Sequence, residues 1–383
     1  MRVLVSTTPL VGHLFPTVPL QWALRAGGHE VVVATSAALR DAVLSCGLPL
    51  LALPAVEPSE MMGRDRDGRP VPHDTDPSGR LVRAGRGWGR LAARCLDDLR
   101  DLVAAWRPDL VVTVPVDFAG QLAAHDLGVP WVEHGWGISL NPLFGSSAAA
   151  ELRPELTRLG LSAMPAPALR IDVCPPSMQR PGAPPGVRMR YVPFCGPARV
   201  PDWLTPARRR PLVCVTLGSL LPKVNRSWAA ALLGELMAAL PGLGVDVVVA
   251  VDEEVVAPLR PFPPGVLAAG WLPLAEVIPA CDLVVHYGNA GTVMIGLAAG
   301  VPQVVVEVPA ADATYYAERL VAAGIGARLA PAGASGERVR AACAALLADA
   351  TVRARAAAVA AELDALPAPS AVAAVLADRF GDR

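Results

Sequence analysis

The sequence predicts an α/β protein with two doubly wound parallel sheets, each in a domain of its own. Short runs rich in valine and leucine recur along the 383 residues, and each run is followed by a loop and a helical stretch. Continuously apolar strands that alternate with helices are typical of parallel sheets covered on both faces. A chain of this length also suits two domains better than one core. Its 53% hydrophobic and 18% charged residues exclude a disordered or coiled-coil protein.

The predicted strands fall into two sets of five. The first set is Arg2–Ser6, Glu30–Ala34, Leu50–Leu53, Leu110–Val114 and Trp131–His134. The second set is Leu212–Leu217, Asp246–Val251, Leu267–Gly270, Leu283–His286 and Val304–Val306. Ligands of such sheets bind at the carboxyl ends of the strands, so the residues that follow each strand are the candidates for function.

A segment rich in proline and arginine, from Tyr191 to Pro211, separates the two sets of strands. It cannot form a long helix, because proline lacks the backbone donor that a helix interior needs. We therefore expect an N-terminal domain at residues 1–195, a linker at 196–210, and a C-terminal domain at 211–368, with a cleft between the domains. The polar, glycine-containing segment Val71–Gly89 predicts a mobile loop near that cleft.

The net charge indicates which partners the protein does not bind, and the cysteine content indicates the cellular compartment. A formal net charge of −1 gives no electrostatic case for binding nucleic acid or an anionic membrane. The seven cysteines are widely spaced and form no C-x-x-C pair, which favours free thiols in a reducing cytoplasm over disulfides or zinc. Leu283–Val306 is uncharged and long enough to span a bilayer, but its His, Asn, Pro and Gly residues favour a strand, a glycine loop, a helix and a second strand.

The clearest candidate site follows the strand Leu283–Val285 and precedes a predicted helix at Val293–Ala299. The glycines of this loop allow close backbone approach, and the first turn of the helix offers free N–H groups to an anion. Such a loop suits a diphosphate, although a tight strand-to-helix turn would use the same glycines. The candidate ligands are His286, Gly288, Asn289, Ala290, Gly291 and Thr292.

Three further residues follow other strands of the second half. Trp271 offers an indole face for a nucleobase, and the backbone of Leu272 can bond the edge of that base. The alternative for Trp271 is a place in the core. Ser219 can reach a phosphate, or it can cap a helix or occupy a turn.

Several of these motifs together resemble the donor site of family 1 glycosyltransferases with the GT-B fold. The second half contributes Gly270–Pro273, His286–Thr292 and Gly300–Gln303, and the first half contributes Gly12–Pro16 and Leu24–Val31. Ile171–Ser177 and Tyr191–Pro193 are similar to segments of actinobacterial enzymes that glycosylate polyketide antibiotics. The resemblance implies a dTDP-linked deoxysugar donor in the C-terminal domain and an acceptor in the N-terminal domain. It also implies that the helix at residues 369–383 packs back onto the N-terminal domain.

The resemblance gives each donor-site residue a role. Trp271 would stack on the base and Leu272 would bond its edge, while Ser219, His286, the Gly288–Gly291 backbone and Thr292 would hold the diphosphate. Many family members bind sugar hydroxyls through an Asp-Gln pair, and the aligned pair here is Asp312-Ala313. The missing amide favours a donor sugar that lacks hydroxyls, although Asp312 could simply cap a helix.

Transfer to a sugar's anomeric carbon needs a base for the acceptor, and a neutral imidazole suits this task. The resemblance assigns the base to His13, whose alternative is a helix cap. The family's orienting aspartate aligns with Val114, so Asp117 either substitutes from a shifted loop or only caps the next helix. His134 and Trp136 are candidates for the acceptor pocket, with Glu133 and His134 alternatively forming a local pair at a strand end.

The sequence therefore predicts an inverting, metal-independent glycosyltransferase that acts without a cofactor on an apolar polyketide-type acceptor in the cytoplasm. Asp65-Arg66-Asp67 and Asp74-Thr75-Asp76 have metal-binding D-x-D spacing but lie among loop charges. We expect binding neither to nucleic acid nor to a membrane, and a homodimer stays open. Two alternatives are a non-catalytic binding protein on the same scaffold and a nicotinamide-dependent oxidoreductase, which the missing G-x-G-x-x-G disfavours.

Overall fold

The structure, a computed structural model, describes residues 1–72, 76–204, 208–218, 226–308, 313–330 and 333–381. The chain divides into two compact units. The first unit comprises Met1–Cys174, Gln179–Gly196 and Ala365–Arg383. The second comprises Pro175–Met178 and Pro197–Asp364. Each unit contains one parallel sheet with helices around it, which confirms the predicted fold class.

The first unit is built on a seven-stranded sheet of order β3-β2-β1-β4-β5-β6-β7 in which every strand pair is parallel. Its strands are β1 Arg2–Ser6, β2 Glu30–Ser36, β3 Leu50–Leu53, β4 Leu110–Thr113, β5 Trp131–His134, β6 Leu169–Asp172 and β7 Val187–Arg188. The short valine-rich strands β1, β2 and β4 are almost entirely buried, as expected for a sheet covered on both faces.

Eight helices of this unit precede or connect the strands, and a ninth comes from the C-terminus. They are α1 Val11–Leu14, α2 Val18–Ala26, α3 Arg40–Ser45, α4 Pro58–Gly63, α5 Pro77–Trp106, α6 Phe118–Asp126, α7 Pro142–Glu151, α8 Arg153–Arg158 and α16 Pro369–Phe380. The last of these packs against α2. A hydrogen bond of 2.8 Å from the Arg190 N–H to the Pro367 carbonyl joins the chain before α16 to the same unit.

The second unit has a six-stranded sheet of order β10-β9-β8-β11-β12-β13, again entirely parallel. Its strands are β8 Leu212–Thr216, β9 Asp246–Ala250, β10 Val266–Gly270, β11 Leu283–His286, β12 Gln303–Val306 and β13 Gly326–Leu329. Its helices are α9 Arg226–Ala239, α10 Glu253–Val256, α11 Leu274–Val277, α12 Ala290–Ala298, α13 Ala313–Ala322, α14 Gly336–Ala348 and α15 Ala350–Asp364. Valines of the central strands form one buried cluster with leucines of α9.

Both sheets reverse their strand order at one point, between β1 and β4 in the first unit and between β8 and β11 in the second. The connections that leave the two adjacent strands there run to opposite sides, which opens a crevice at the carboxyl ends of the strands. His13 and Asp117 follow the two strands at the first of these points. His286 ends one of the two strands at the second. The topology therefore places the candidate residues where ligands bind in this fold.

The structure contradicts the predicted loop at Val71–Gly89. Residues 73–75 lie outside the described part of the chain, but Pro77 begins the long helix α5. The Asp76 carboxylate accepts a hydrogen bond from the Gly79 N–H and caps the helix, and proline is well suited to its first turn. Glycines that suggested a loop instead allow α5 to approach its neighbours, since a Cβ on Gly85 would lie 2.3 Å from the Phe144 carbonyl oxygen.

Leu283–Val306 forms β11, the helix α12 and β12, as the sequence predicted, and does not form one long apolar helix. The strands β6, β7 and β13 were not predicted. Each has two to four residues and is only partly buried. Each also contains charged residues, so its sequence does not show the continuous apolar run by which the other strands were predicted. By length and composition, Ala350–Phe380 is a candidate membrane span in the described residues, which is weak evidence because the segment comprises α15 and α16 with Pro367 between them.

Candidate active site

His13 lies in the loop and short helix that follow β1 of the first unit. Its imidazole is stacked on the indole of Trp136, with ring centroids 4.3 Å apart and an interplanar angle of 11°. The indole of Trp88, on α5, is 5.2 Å away and tilted by 47°. The structure thus brings together two predicted residues, His13 and Trp136, and adds Trp88, which lies within the segment predicted as a loop.

The imidazole of His13 is neutral at ordinary pH. Its Nδ1 atom lies 2.5 Å from the hydroxyl oxygen of Thr8, which is an uncharged partner. The residue keeps intermediate solvent exposure, yet the surrounding rings desolvate it, and this burial lowers the pKa of His13 to about 3. A neutral imidazole can accept a proton, and its low pKa makes it a weak base.

Asp117 is the N-cap of α6. Its Oδ1 atom accepts a hydrogen bond of 3.2 Å from the Gly120 N–H, so the structure favours the capping alternative over a direct contact with His13. Burial raises the pKa of the Asp117 carboxyl to about 6, and the neighbouring Ser6 hydroxyl and Gly120 N–H partly offset that rise. Its second oxygen, Oδ2, is buried and has no hydrogen-bond partner in the described residues.

His134 is fully buried and does not line an acceptor pocket, contrary to the prediction. Its Nδ1 donates to the Gly135 carbonyl at 2.6 Å, and burial lowers the pKa of the ring to about 4. Glu133 does not pair with it, because neighbouring residues of a strand point to opposite faces of the sheet. Glu133 instead forms an ion pair of 3.1 Å with Arg170 on β6.

In the second unit, His286 has both ring nitrogens engaged inside the protein. Its Nδ1 accepts a hydrogen bond of 3.0 Å from the Gly288 N–H, so the proton must be on Nε2, which lies 2.8 Å from Oε1 of Gln303. The ring is fully buried, and this burial lowers its pKa to about 4. A direct bond from His286 to a diphosphate, as the resemblance implies, would have to replace one of these internal bonds. The observed geometry gives His286 the role of holding the loop.

The loop between β11 and α12 leaves the backbone N–H groups of the first turn of α12 without partners inside the helix. Gly288 has φ +93°, in the region that favours glycine, and a Cβ there would lie 3.1 Å from Val305 and Ala313. Asn289 caps the helix without a side-chain hydrogen bond. The first backbone hydrogen bond of the helix is donated by Val293, which leaves the N–H groups of Ala290, Gly291 and Thr292 for an anion. The Thr292 side chain itself is buried.

Trp271 follows Gly270 at the end of β10 and is 63% exposed, which excludes a place in the core. Leu272, next to it, is half-buried. The loop after β8 meets the loop after β11, because a Cβ on Gly218 would lie 2.7 Å from the ring of Tyr287. Ser219, the next residue, and the sugar-site candidate Asp312 both lie outside the described residues.

The two D-x-D sequences have local structural roles in the part of the chain that is described. Oδ1 of Asp65 accepts hydrogen bonds from the Asp67 and Arg69 N–H groups and closes a turn. Arg66 between them pairs with Glu151 and Glu155 of neighbouring helices. In the second sequence, Asp76 caps α5, while residues 74 and 75 are outside the described part.

Comparison with protein families matches almost the whole chain. The N-terminal domain of the family described as erythromycin biosynthesis protein CIII-like matches residues 22–218, and the C-terminal domain of that family matches residues 234–378. The chain belongs to this EryCIII-like family. Membership confirms the resemblance to family 1 glycosyltransferases and removes the oxidoreductase alternative.

Characterised relatives of this EryCIII-like chain are transferases of similar length. It is 43% identical to the L-demethylnoviosyl transferase of Streptomyces niveus, over 98% of each chain. It is 37% identical to the elloramycin glycosyltransferase of Streptomyces olivaceus, over 100% of this chain and 98% of that one. The structure of glycosyltransferase SsfS6 of Streptomyces sp. SF2575, complexed with thymidine diphosphate, superposes with a TM-score of 0.88 at 39% identity and 99% coverage of both. The EryCIII-like chain is therefore a glycosyltransferase with the GT-B fold.

Two residues around His13, Trp88 and Thr8, were missed as functional candidates from the sequence, and Gln303 was named only as the end of the Gly300–Gln303 motif, without a role of its own. Trp88 lies on a helix that was predicted as a loop, Thr8 is one of two adjacent threonines after β1, and Gln303 starts a buried strand. Spacing along the chain carries no signal for Trp88, which is 75 residues from the histidine it contacts. Two signals pointed to Gln303: its place at the end of the Gly300–Gln303 motif, and its polar side chain at the start of an apolar strand.

Proposed function

We propose that this EryCIII-like protein is an inverting glycosyltransferase that moves a deoxysugar from dTDP to an apolar, polyketide-type acceptor. The observation that carries the proposal is the neutral imidazole of His13 between two indole rings, at the switch point of the first sheet. Both indoles are buried, with Trp88 9% and Trp136 6% exposed, so they surround the imidazole with apolar side chains and do not offer a free face as acceptor-pocket walls. The His13 imidazole keeps intermediate exposure and is available to take a proton.

The proposed donor site is the start of α12 in the second unit. Free N–H groups of the first turn and the positive end of the helix dipole stabilise the two phosphates. The exposed indole of Trp271 stacks on the base. The thymidine diphosphate in the structure of SsfS6 and the sugar names of several relatives support dTDP and a deoxysugar as the donor.

In the proposed reaction, Nε2 of His13 takes the proton of the acceptor hydroxyl. The acceptor oxygen forms a bond to the anomeric carbon as the bond from that carbon to the diphosphate oxygen breaks, and the configuration inverts. Negative charge grows on the departing dTDP, where N–H groups already in place lower the barrier. We propose that these groups act without a metal ion.

The Thr8 hydroxyl, as the hydrogen-bond partner of His13, makes the imidazole better suited to an acidic acceptor hydroxyl. Nδ1 contacts the neutral Thr8 hydroxyl, and a hydroxyl stabilises an imidazolium less than a carboxylate does. A weak base is adequate for a phenol, which gives up its proton easily, and is poor for an aliphatic alcohol. We therefore propose a phenolic acceptor.

The test is to incubate the purified protein with dTDP-deoxysugars and matched pairs of apolar acceptors that differ only in a phenol or an alcohol. Products are identified by mass spectrometry, and NMR gives the anomeric configuration. We expect a glycoside of inverted configuration, faster with the phenol, and unchanged turnover when EDTA is present. Release of dTDP without a glycoside, retention of configuration, or loss of turnover with EDTA would contradict the proposal.

A further inference from the structure

A small internal cavity in the first unit joins the surroundings of His13 to those of Asp117. Its lining includes Ser6, Thr8, Trp88 and Asp117. Asp117 is only 6% exposed, and the Ser6 hydroxyl interacts with its carboxyl group. The Oδ2 atom itself has no hydrogen-bond partner among the residues that the structure describes. A buried carboxylate oxygen without a donor is costly, and the cavity has room for one water molecule that could supply one.

The Thr8 hydroxyl, like Oδ2 of Asp117, has an unused hydrogen-bonding capacity. It is nearly buried and contacts Nδ1 of His13, and within the described ranges no second partner for its oxygen is found. A hydroxyl has one proton to donate and two lone pairs to accept with. One bond to His13 therefore leaves either the proton or a lone pair of Thr8 unused.

Only one of the two arrangements leaves His13 able to act as a base. If Thr8 donates to Nδ1, the imidazole proton is on Nε2, and that nitrogen cannot accept a proton from an acceptor. If Nδ1–H donates to Thr8, Nε2 carries a lone pair, and the Thr8 proton must go to another acceptor. The unpartnered Oδ2 of Asp117, on the same cavity, is such an acceptor.

We propose that Thr8 is the positioning residue of His13 and that Asp117 acts on His13 only through the Thr8 hydroxyl. Asp117 Oδ2 accepts the Thr8 proton, directly or through one water in the cavity, and Thr8 in turn accepts Nδ1–H of His13. During transfer Nε2 gains the acceptor proton, and no proton leaves Thr8 or Asp117. The kinetic part of this inference rests on the proposed base role of His13, and its tautomer part does not.

Four variants test whether the hydrogen bonds run from Asp117 through Thr8 to His13. Thr8→Val removes the hydroxyl at constant shape, and Thr8→Ser retains it. Asp117→Asn keeps an N-cap oxygen for Gly120, because asparagine caps helices as well as aspartate does, but places an amide donor where Oδ2 was. The fourth is the double variant Thr8→Val/Asp117→Asn. The matched control is Thr113→Val, since the buried Thr113 hydroxyl has no partner in the described structure.

We expect Thr8→Val to lower kcat about 10- to 100-fold, because general-base catalysis is worth about 10²- to 10⁴-fold and part of it depends on orientation. Asp117→Asn should lower kcat about tenfold, and the double variant should fall within about threefold of Thr8→Val, because two residues acting through one another are not additive. Thr8→Ser should restore kcat. Affinity for dTDP should stay unchanged in all variants, and Thr113→Val should transfer as the parent does.

The second readout is the tautomer of His13 in the free protein, measured by ¹⁵N NMR and assigned with His13→Gln. We expect the Nδ1–H form in the parent and a shift toward Nε2–H in Asp117→Asn. An Nε2–H parent, multiplying effects in the double variant, or unchanged kcat in Asp117→Asn would each overturn the inference. If the parent transfers no sugar at all, the proposed function fails, while the tautomer result still decides the hydrogen-bond chain.

Discussion

Nε2 of His286 lies 2.8 Å from Oε1 of Gln303, and both side chains are fully buried. The amide of Gln303 also donates to the Val293 carbonyl of α12 at 3.2 Å. One side chain at the start of β12 is thus bonded to the end of β11 and to the helix that begins the proposed diphosphate site. Because the Gly288 N–H occupies Nδ1, Gln303 fixes the imidazole in one neutral form.

Replacing Gln303 should therefore weaken nucleotide binding without a direct contact. Gln303→Met keeps a similar volume, leaves the His286 N–H without a partner, removes the bond to the Val293 carbonyl, and loosens the loop. We expect the Kd for dTDP, measured by calorimetry, to rise about tenfold, equivalent to about 1.4 kcal/mol. Gln121→Met is the control, since Gln121 is a buried amide of the first unit. Equal Kd values for the two variants would contradict the proposed role.

Trp271 provides a cleaner test of the donor site, because an exposed side chain contributes little to folding. With 63% of its surface exposed, Trp271→Ala should leave the thermal unfolding temperature of the free protein unchanged. Loss of a base stack should weaken the binding free energy of dTDP by about 1–3 kcal/mol, and the Kd should rise accordingly. Trp22→Ala, at a 42% exposed tryptophan of the first unit, is the control and should leave nucleotide affinity unchanged. Undiminished dTDP binding by Trp271→Ala would remove this residue from the site.

His13→Ala tests the proposed base separately from the donor site. Removing a general base should lower turnover about 10²- to 10⁴-fold, while dTDP affinity stays the same because the nucleotide site belongs to the other unit. Steady-state kinetics and calorimetry measure the two quantities on one preparation. Unchanged turnover in His13→Ala would eliminate the base assignment, and a parallel loss of dTDP affinity would indicate a general disruption.

The pH dependence of stability should reveal the two fully buried histidines, His134 and His286. Burial holds both pKa values near 4, well below the usual 6.5, so the unfolded chain binds protons that the folded chain does not. Stability is therefore lost as pH falls below about 6.5, by about 1.4 kcal/mol per pH unit for each histidine. Asp117 acts in the opposite direction, because its raised pKa of about 6 means that the folded state takes up a proton first.

From about pH 7.5 to about pH 5, the two histidines should cost roughly 4 kcal/mol. His13, with its lowered pKa, should cost about 2 kcal/mol more, and Asp117 should offset roughly 1 kcal/mol. Urea unfolding at several pH values measures the net loss. His286→Gln should flatten the slope by about one proton, whatever its effect on absolute stability. A slope that is identical in the parent and in this variant would mean that His286 is already protonated, or exposed, in the folded protein.

The sequence predicted β1, β3, β5 and β11 with the first and last residues that the structure shows, because each contains a short apolar run and is followed by a loop. It predicted the loop after β11 because glycines and a following helix are local signals. The contacts of Trp88 with His13 and of Gln303 with His286 were beyond its reach, because each joins residues that are distant in the chain and meet only through folding. The helix α5 was missed because Gly85, Gly87 and Gly89 are usually loop residues, and only the packed structure shows what they contact.

Gly85 tests that explanation of α5, with Gly145 as a matched partner on the helix it contacts. A Cβ on Gly85 would lie 2.3 Å from the Phe144 carbonyl oxygen, which belongs to backbone and cannot rotate away, so Gly85→Ala should destabilise by about 1–3 kcal/mol. Gly145 lies inside α7 with no atom within 4 Å of its Cβ position, so Gly145→Ala should stabilise by about 0.4–1 kcal/mol. Urea unfolding compares the two. Equal effects would mean that α5 and α7 are not in close contact at Gly85.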